Sequence, residues 1–133
     1  MKSALLTCAA VGLGSGFGGI CRYLTTLLFV AWLGPGFPFG TFFINISGSF
    51  LIGLLSELLQ TRAVGIEPLL RIALTAGVLG GYTTFSTFAF ETLTLGGDRE
   101  WRLAAAYGLG SVILGVAACY GGFVAARLMV RAA

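Results

Sequence analysis

Long stretches without a charged residue constrain this chain more than any other feature of its sequence. The stretches contain 19, 34, 19 and 24 residues and cover 3–21, 23–56, 72–90 and 103–126. About 20 apolar residues in a helix cross the hydrocarbon core of a bilayer. Only 10% of the residues are charged, against about 25% in soluble domains. The chain is therefore predicted to be an all-α membrane protein. Because histidine is also absent, a soluble globular enzyme is excluded.

The longest uncharged stretch is too long for one membrane crossing. It contains a glycine- and proline-rich segment at 34–40 that is expected to interrupt a helix. The sequence thus predicts one domain over 1–133 with short connections and four spans. The spans are predicted at about 4–32, 41–60, 69–95 and 102–128. The first and third are long enough to tilt, break or extend past the lipid.

The positive charges are distributed unevenly between the two ends of the predicted spans. One side would hold five of them, Lys2, Arg62, Arg71, Arg127 and Arg131, and the other Arg99 and Arg102, with Arg22 if it reaches that interface. The positive-inside rule then favours a cytoplasmic N-terminus. The difference is small, and both insertion directions remain open.

Small residues recur at helical spacing, which indicates close helix packing in lipid. The first span has the G-x-x-x-G pairs Gly12/Gly16 and Gly14/Gly18. The fourth has a stripe of small residues, namely Ala104, Gly108, Ser111, Gly115, Cys119, Gly122 and Ala126. We interpret both patterns as packing faces.

Polar residues inside the predicted spans are functional candidates, because they must find partners or line a watery cavity. Arg22 is either an interfacial anchor that snorkels or an interior charge in an anion-attracting vestibule. Asn45 shares a helix face with Thr41, Gly48 and Ser49. That polar stripe favours a lined path over a single structural bond.

The third span contains the strongest signal, GYTTFSTF after Gly80. Two glycines, two threonines and two aromatics form a poor helix interior, and unwound backbone at membrane depth is tolerated only inside protein or along a cavity. Freed carbonyls there could hold Na⁺. The positive ring edges of Phe85 and Phe88 could hold a small anion weakly. Beyond them, Glu91 is either a charge at the membrane edge or an acceptor for hydroxyls along an internal polar track.

Three motifs together resemble the Fluc (CrcB) family of fluoride channels. They are GGICRY at 18–23, FGTFFINISGSF at 39–50 and GGYTTFSTF at 80–88, and the resemblance covers essentially the whole chain. It implies an antiparallel, dual-topology homodimer with a broken third helix, two fluoride pores and a central structural Na⁺. It also implies a multi-pass protein of the bacterial or archaeal inner membrane that releases cytoplasmic fluoride passively. The expected partners are fluoride, a second copy and lipid, with no nucleic acid.

The resemblance also assigns roles to individual residues. Asn45 matches the pore-lining amide, and Phe85 and Phe88 match the rings that face fluoride. The backbone carbonyls of Gly80 and Thr83 are the expected Na⁺ ligands. Arg22 matches the vestibule arginine. Further candidates for the polar track are Thr41, Ser86, Thr87, Glu91, Tyr107 and Ser111.

The main alternative is a proton-coupled exporter of the small multidrug-resistance type, which is also a four-span protein. Such a carrier uses a carboxylate in its first span, where this chain has Arg22 and no acidic residue. A membrane assembly subunit would explain the small-residue stripes but not the segment 80–88. A membrane enzyme lacks support, because no histidine, cysteine pair or carboxylate cluster is present.

Overall fold

A computed structural model describes residues 2–60, 65, 67–97 and 99–132. All regular elements among them are helical, which confirms the prediction of an all-α chain. Arg62 and most of the predicted loop 61–68 lie outside the described residues. The elements are α1 (Lys2–Leu33), α2 (Phe39–Gln60), α3 (Pro68–Ile72), a π-helical segment (Ala73–Leu79), α4 (Gly80–Tyr82), α5 (Phe85–Gly97) and α6 (Trp101–Ala132).

The turn between α1 and α2 follows from its glycine and proline content. The Gly34 N–H donates to the Val30 carbonyl at 2.9 Å, and Gly34 has a φ of 77°. A glycine in this left-handed conformation commonly ends a helix, and Pro35 cannot continue it. The next helix begins at Phe39.

Three of the described helices are long and apolar enough to cross a membrane, Ser3–Leu33, Phe39–Gln60 and Trp101–Ala132. The chain is a multi-pass membrane protein. Residues 68–97, called the third span below, are instead divided among α3, the π-helical segment, α4 and α5. The longest of these, α5, has 13 residues and a length of about 20 Å, shorter than the hydrocarbon core.

Glycines bring α1 into direct backbone contact with the third span. A methyl group at Gly14 would meet the Ala73 carbonyl oxygen at 2.7 Å, and one at Gly18 would overlap the Val78 carbonyl. Gly81 faces the backbone of α1 in the same way. Close approach of this kind is what small residues permit between helices in lipid.

The two G-x-x-x-G pairs of α1 differ in their surroundings. Gly14 and Gly18 pack against the third span, whereas no atom lies within 4 Å of a methyl group built at Gly12 or Gly16. Only one of the two predicted packing pairs is therefore used within the chain.

The stripe of small residues on α6 faces α2. Gly122 lies against the Phe50 carbonyl, and Gly53 lies against the carbonyl of Cys119. The buried members of the stripe are Ala104, Ser111, Gly122 and Ala126. Glycines thus mediate close contact both between α1 and the third span and between α2 and α6.

Candidate functional site

Thr83 and Thr84, called the junction below, belong to neither α4 nor α5. Thr83 has an extended backbone, with φ −78° and ψ 158°. Within the segment 80–88, which was expected to be a poor helix interior, Gly80 and Gly81 are helical. Gly81 packs against the backbone of α1, and the capping of α5 falls on Thr84.

Asn45 of α2 holds the junction with two hydrogen bonds. Its Nδ2 donates to the Thr84 carbonyl at 3.0 Å, and its Oδ1 accepts from the Thr84 N–H at 2.9 Å. The side-chain amide thus substitutes for backbone partners that a continuous helix would supply. Such replacement is required for non-helical backbone at membrane depth.

Thr84 also caps α5 with its hydroxyl. The Thr87 N–H donates to Thr84 Oγ1 at 3.3 Å, and Thr84 Oγ1 lies 3.0 Å from Thr87 Oγ1 and 3.4 Å from Ser86 Oγ. Threonine is a preferred residue at a helix N-terminus because its oxygen accepts such an otherwise unpaired N–H.

Because the side chains of Asn45 and Thr84 bind these N–H groups, two backbone carbonyls lose the partners that a continuous helix would give them. In a continuous helix the Thr84 N–H would donate to the Gly80 carbonyl, and the Thr87 N–H to the Thr83 carbonyl. Both N–H groups are instead bound to side-chain oxygens. The released carbonyls are hard oxygen ligands of the kind that hold Na⁺ at discontinuous helices. The Gly80 carbonyl fits such an ion, whereas the Thr83 carbonyl also accepts a hydrogen bond from Arg22 and would have to share it. Among the described residues no group of three or more His, Cys, Asp or Glu could hold a metal.

Arg22 points to the junction from the interior of α1. Its Nη1 donates to the Thr83 carbonyl at 3.4 Å, and its side chain is part-buried. This contact favours the interior position over the interfacial anchor, and it places a positive charge beside one of the two released carbonyls.

A cavity of about 440 Å³, called the junction cavity below, lies between α2, the third span and α6. Ser111 Oγ is buried there and has no hydrogen-bond partner among the described residues. The predicted residues that line it are Asn45, Gly80, Thr83, Phe85, Phe88 and Ser111. The cavity wall thus offers an amide, hydroxyls, backbone and two aromatic rings.

The two phenylalanines of the junction cavity form a tilted pair. Their centroids are 5.7 Å apart with an angle of 49° between the planes. Phe88 is half-buried, whereas Phe85 is 78% exposed in the single chain. Ser86 and Thr87 are exposed beside it. One chain therefore encloses the pair on one side only.

A second cavity, called the turn cavity below, has a volume of about 370 Å³ and lies beside the turn between α1 and α2. Thr41 and Glu91 line it. Thr41 Oγ1 donates to Glu91 Oε1 at 2.9 Å, and the Tyr107 hydroxyl donates to Glu91 Oε2 at 2.7 Å. Glu91 was interpreted either as a charge at the membrane edge or as an acceptor for hydroxyls. In the structure its carboxylate accepts hydrogen bonds from both hydroxyls.

Tyr107 connects the two cavities. Its side chain is 0% exposed, and its ring centroid lies 5.3 Å from that of Phe88 in the junction cavity. It lies 5.5 Å from Phe37, which lines the turn cavity. The predicted polar residues therefore form two groups, and the tyrosine lies between them.

Thr84 is not among the residues predicted from the sequence, although both its backbone and its side chain organise the site. The pattern Thr84-Phe85-Ser86-Thr87 at the start of a helix is a capping signal that could have identified it. A second missed contact joins Ser47 Oγ to the Tyr82 hydroxyl at 3.1 Å. Nothing in the local sequence predicts this pairing of residues 35 positions apart.

Comparison with known proteins confirms the resemblance. The family model described as "CrcB-like protein, Camphor Resistance (CrcB)" matches residues 9–123. A protein of Nitrobacter winogradskyi is 45% identical over 120 residues, which is 90% of this chain and 94% of the relative. One of Anaeromyxobacter dehalogenans is 45% identical over 132 residues, 98% of this chain and 97% of the relative. Both relatives are named "Fluoride-specific ion channel FluC".

Proposed function

The chain belongs to the CrcB family, and from that premise we propose that it is a fluoride-selective channel that lets cytoplasmic fluoride leave passively down its electrochemical gradient. The observation that carries the proposal is the match, at 45% identity over 98% of this chain, to a relative named as a fluoride-specific channel. The geometry of the two cavities supports it. An enzyme is not supported, because the named relatives are channels.

Fluoride is small and strongly hydrated, so it must exchange water for other donors as it enters a pore. In the junction cavity the Ser111 hydroxyl, free N–H capacity of Asn45 and the ring edges of Phe85 and Phe88 can supply them. No lysine or arginine is among the described residues that line either cavity. Binding that stays weak and is divided among several sites permits exit as well as entry.

From the junction cavity the proposed path continues past Tyr107 to Glu91 and Thr41. The two hydroxyls are already turned toward the carboxylate, so they must rotate to serve an anion. A hydroxyl can do this without moving its heavy atoms. Glu91 would then act as a substitute acceptor that keeps these donors ordered between passages. Arg22, beside the junction, would raise the concentration of anions at the entrance.

A second, antiparallel copy would complete the pore. Phe85, Ser86 and Thr87 are exposed in the single chain, although they lie at the middle of the third span. Exposed hydroxyls at membrane depth need protein or water around them. The small charge bias between the two sides is compatible with dual insertion into the inner membrane of a bacterium or archaeon.

A structural Na⁺ would bind to the carbonyls of Gly80 and Thr83 from both copies. Both carbonyls are released by Asn45 and Thr84. Two carbonyls are too few for a cation alone, and a symmetric partner would double them. In this proposal the ion supplies positive charge at the dimer centre, while Asn45 and Thr84 keep the oxygens free of helical N–H groups.

The proposal is tested with purified protein in liposomes that are loaded with fluoride. When a potassium ionophore removes the opposing potential, fluoride should leave rapidly and chloride should stay. Equal leakage of both anions, or of neither, would reject a selective channel.

Two variants and the removal of Na⁺ test the proposed roles of the phenylalanine rings and of the central ion. Phe85→Ile and Phe88→Ile should reduce fluoride release while the dimer stays intact in cross-linking. If both keep normal release, the ring edges do not carry the anion. Removal of Na⁺ should dissociate the dimer, and assembly that ignores Na⁺ would count against the central ion.

A further inference from the structure

The turn cavity contains a carboxylate that forms no ion pair with any of the described residues. Among the described residues that line it, Glu91 is the only charged one. The one ion pair among the described residues joins Arg127 to Glu57, so Glu91 has hydroxyl partners and no cationic one. An uncompensated carboxylate in a membrane-embedded site is unfavourable. A cation from outside the chain would compensate it.

The walls of the cavity indicate which kind of cation fits. They are mainly apolar and include four aromatic rings and two prolines, namely Phe29, Phe37, Phe39, Phe90, Pro35 and Pro38. A bare alkali ion needs several oxygen ligands. The walls offer few besides Glu91, namely the hydroxyls of Thr26, Thr41 and Thr94, and each of these already donates a hydrogen bond within the chain. Aromatic faces instead attract weakly hydrated ammonium groups through their quadrupoles.

We propose that the turn cavity binds a small organic ammonium ion with apolar substituents, with its charge against Glu91 and its substituents against the phenylalanine rings. The volume of about 370 Å³ falls in the range of about 300–1,000 Å³ that is usual for small-molecule sites.

The carboxylate has capacity left for this contact. Each of its oxygens accepts one hydrogen bond, from Thr41 and from Tyr107, and a carboxylate offers about four acceptor sites. The rings are also held in place before any ligand arrives. The centroid of Phe37 lies 4.6 Å from that of Phe39, and Phe29 lies 5.1 Å from Phe43. A preformed wall reduces the entropy lost on binding.

The bound ammonium ion would stop at the inner end of the cavity. Tyr107 is fully buried behind Glu91, so an ion that carries several carbon atoms cannot pass. It would therefore occupy one end of the proposed fluoride path. This consequence rests on the proposed function, whereas the binding itself does not.

Binding is measured by calorimetric titration of benzyltrimethylammonium into the purified full-length protein in detergent. Benzenesulfonate, which has a similar ring but the opposite charge, is the matched ligand. We expect saturable binding of the cation and none of the anion. Equal heats for the two ligands, or none for either, would overturn the proposal.

Two variants locate the site. Glu91→Gln should weaken binding of the cation at least tenfold, because it removes the charge and keeps the shape. Thr94 lines the same cavity and its side chain is exposed, so Thr94→Trp should fill the space and abolish binding. Thr7→Trp, on the remote end of α1, is the matched control and should bind normally. Unchanged binding in Thr94→Trp would reject the turn cavity as the site, even if Glu91→Gln does not fold.

The same cation should slow fluoride release from liposomes over the concentrations at which it binds. If the protein binds the cation but releases no fluoride under any condition, the channel proposal fails and the site stands. If fluoride is released and the cation neither binds nor blocks, the site fails and the channel proposal stands.

Discussion

The polar groups of the junction are hydrogen-bonded, whereas one polar group in the opposite wall of the junction cavity is bonded to none of the described residues. At the junction, Asn45 satisfies both backbone groups of Thr84, and the Thr84 hydroxyl caps the next helix. Across the cavity, Ser111 Oγ is buried and has no partner among the described residues. The two regions lie within one cavity, so burial alone does not explain the difference.

A polar group at membrane depth must be paired, because lipid offers no hydrogen bonds. Paired groups at the junction stabilise an unusual backbone. The unpaired hydroxyl of Ser111 holds no other group of the described chain by a hydrogen bond, so it is available to a polar guest that enters the cavity. Residues that hold the backbone of the site thus differ from residues that are proposed to contact the anion. Substitutions at the two kinds of residue should differ in their effect on stability.

The largest loss of stability is expected for Asn45→Ala. The variant leaves a buried N–H and a buried carbonyl of Thr84 without partners, which costs about 2–4 kcal/mol. Unfolding of the detergent-solubilised protein in increasing sodium dodecyl sulfate measures the change. Asn45→Asp is the contrast, because it keeps the acceptor for the Thr84 N–H and loses the donor. A stability like that of the wild type in Asn45→Ala would contradict the role of this side chain as the holder of the junction.

A smaller loss of stability is expected for Gly18→Ala, which alters the backbone contact between α1 and the third span. Gly18→Ala puts a methyl group against the Val78 carbonyl and should cost about 2 kcal/mol through overpacking. Gly16→Ala, on the same helix, meets no atom within 4 Å of the chain and should cost nothing or stabilise slightly. The same unfolding assay compares the two. Equal effects would show that the α1 interface does not depend on the close approach at Gly18.

Thr84→Val should cost about 1 kcal/mol, because it removes the oxygen that caps α5 and keeps the shape of the side chain. The bonds from Asn45 to the Thr84 backbone remain. Hydrogen exchange at the Thr87 amide should speed up, whereas exchange in α2 should not change. An unaltered Thr87 amide would mean that the cap does not protect it.

The smallest effect on stability is expected for Ser111→Ala. The hydroxyl has no partner to lose, so the free energy of unfolding should change by less than about 0.5 kcal/mol. Fluoride release from liposomes should nevertheless fall. Ser111→Ala is the most discriminating variant. If it is strongly destabilised but releases fluoride normally, Ser111 supports the fold and does not contact the anion.

Much of the fold could be predicted from local features of the sequence. The turn at 34–38 follows from Gly34 and Pro35, whose backbone preferences act without help from the rest of the chain. The stripe on α6 was predicted from spacing, and four of its members are buried, with Gly122 packed against α2. Both features depend on residues that are close in sequence.

The site was less accessible to prediction. The candidates came from polar and aromatic residues inside the predicted spans and from the family motifs, and neither gave a reason to expect two cavities joined by Tyr107. Spacing could not distinguish Gly14/Gly18 from Gly12/Gly16, because both pairs satisfy the same pattern. Within the segment 80–88 the sequence could not show which residues leave the helix, because a glycine that permits close packing looks like one that breaks a helix.

The sequence by itself determined that this chain crosses a membrane as helices, because long uncharged stretches cannot face water and a backbone in lipid must bond to itself. It also determined where the connections fall, through its charges, glycines and prolines. Only the tertiary structure decided which carbonyls are released at the junction. That outcome requires Asn45 to reach the Thr84 N–H across 39 positions of the chain, and the packing of α2 against the third span sets this distance.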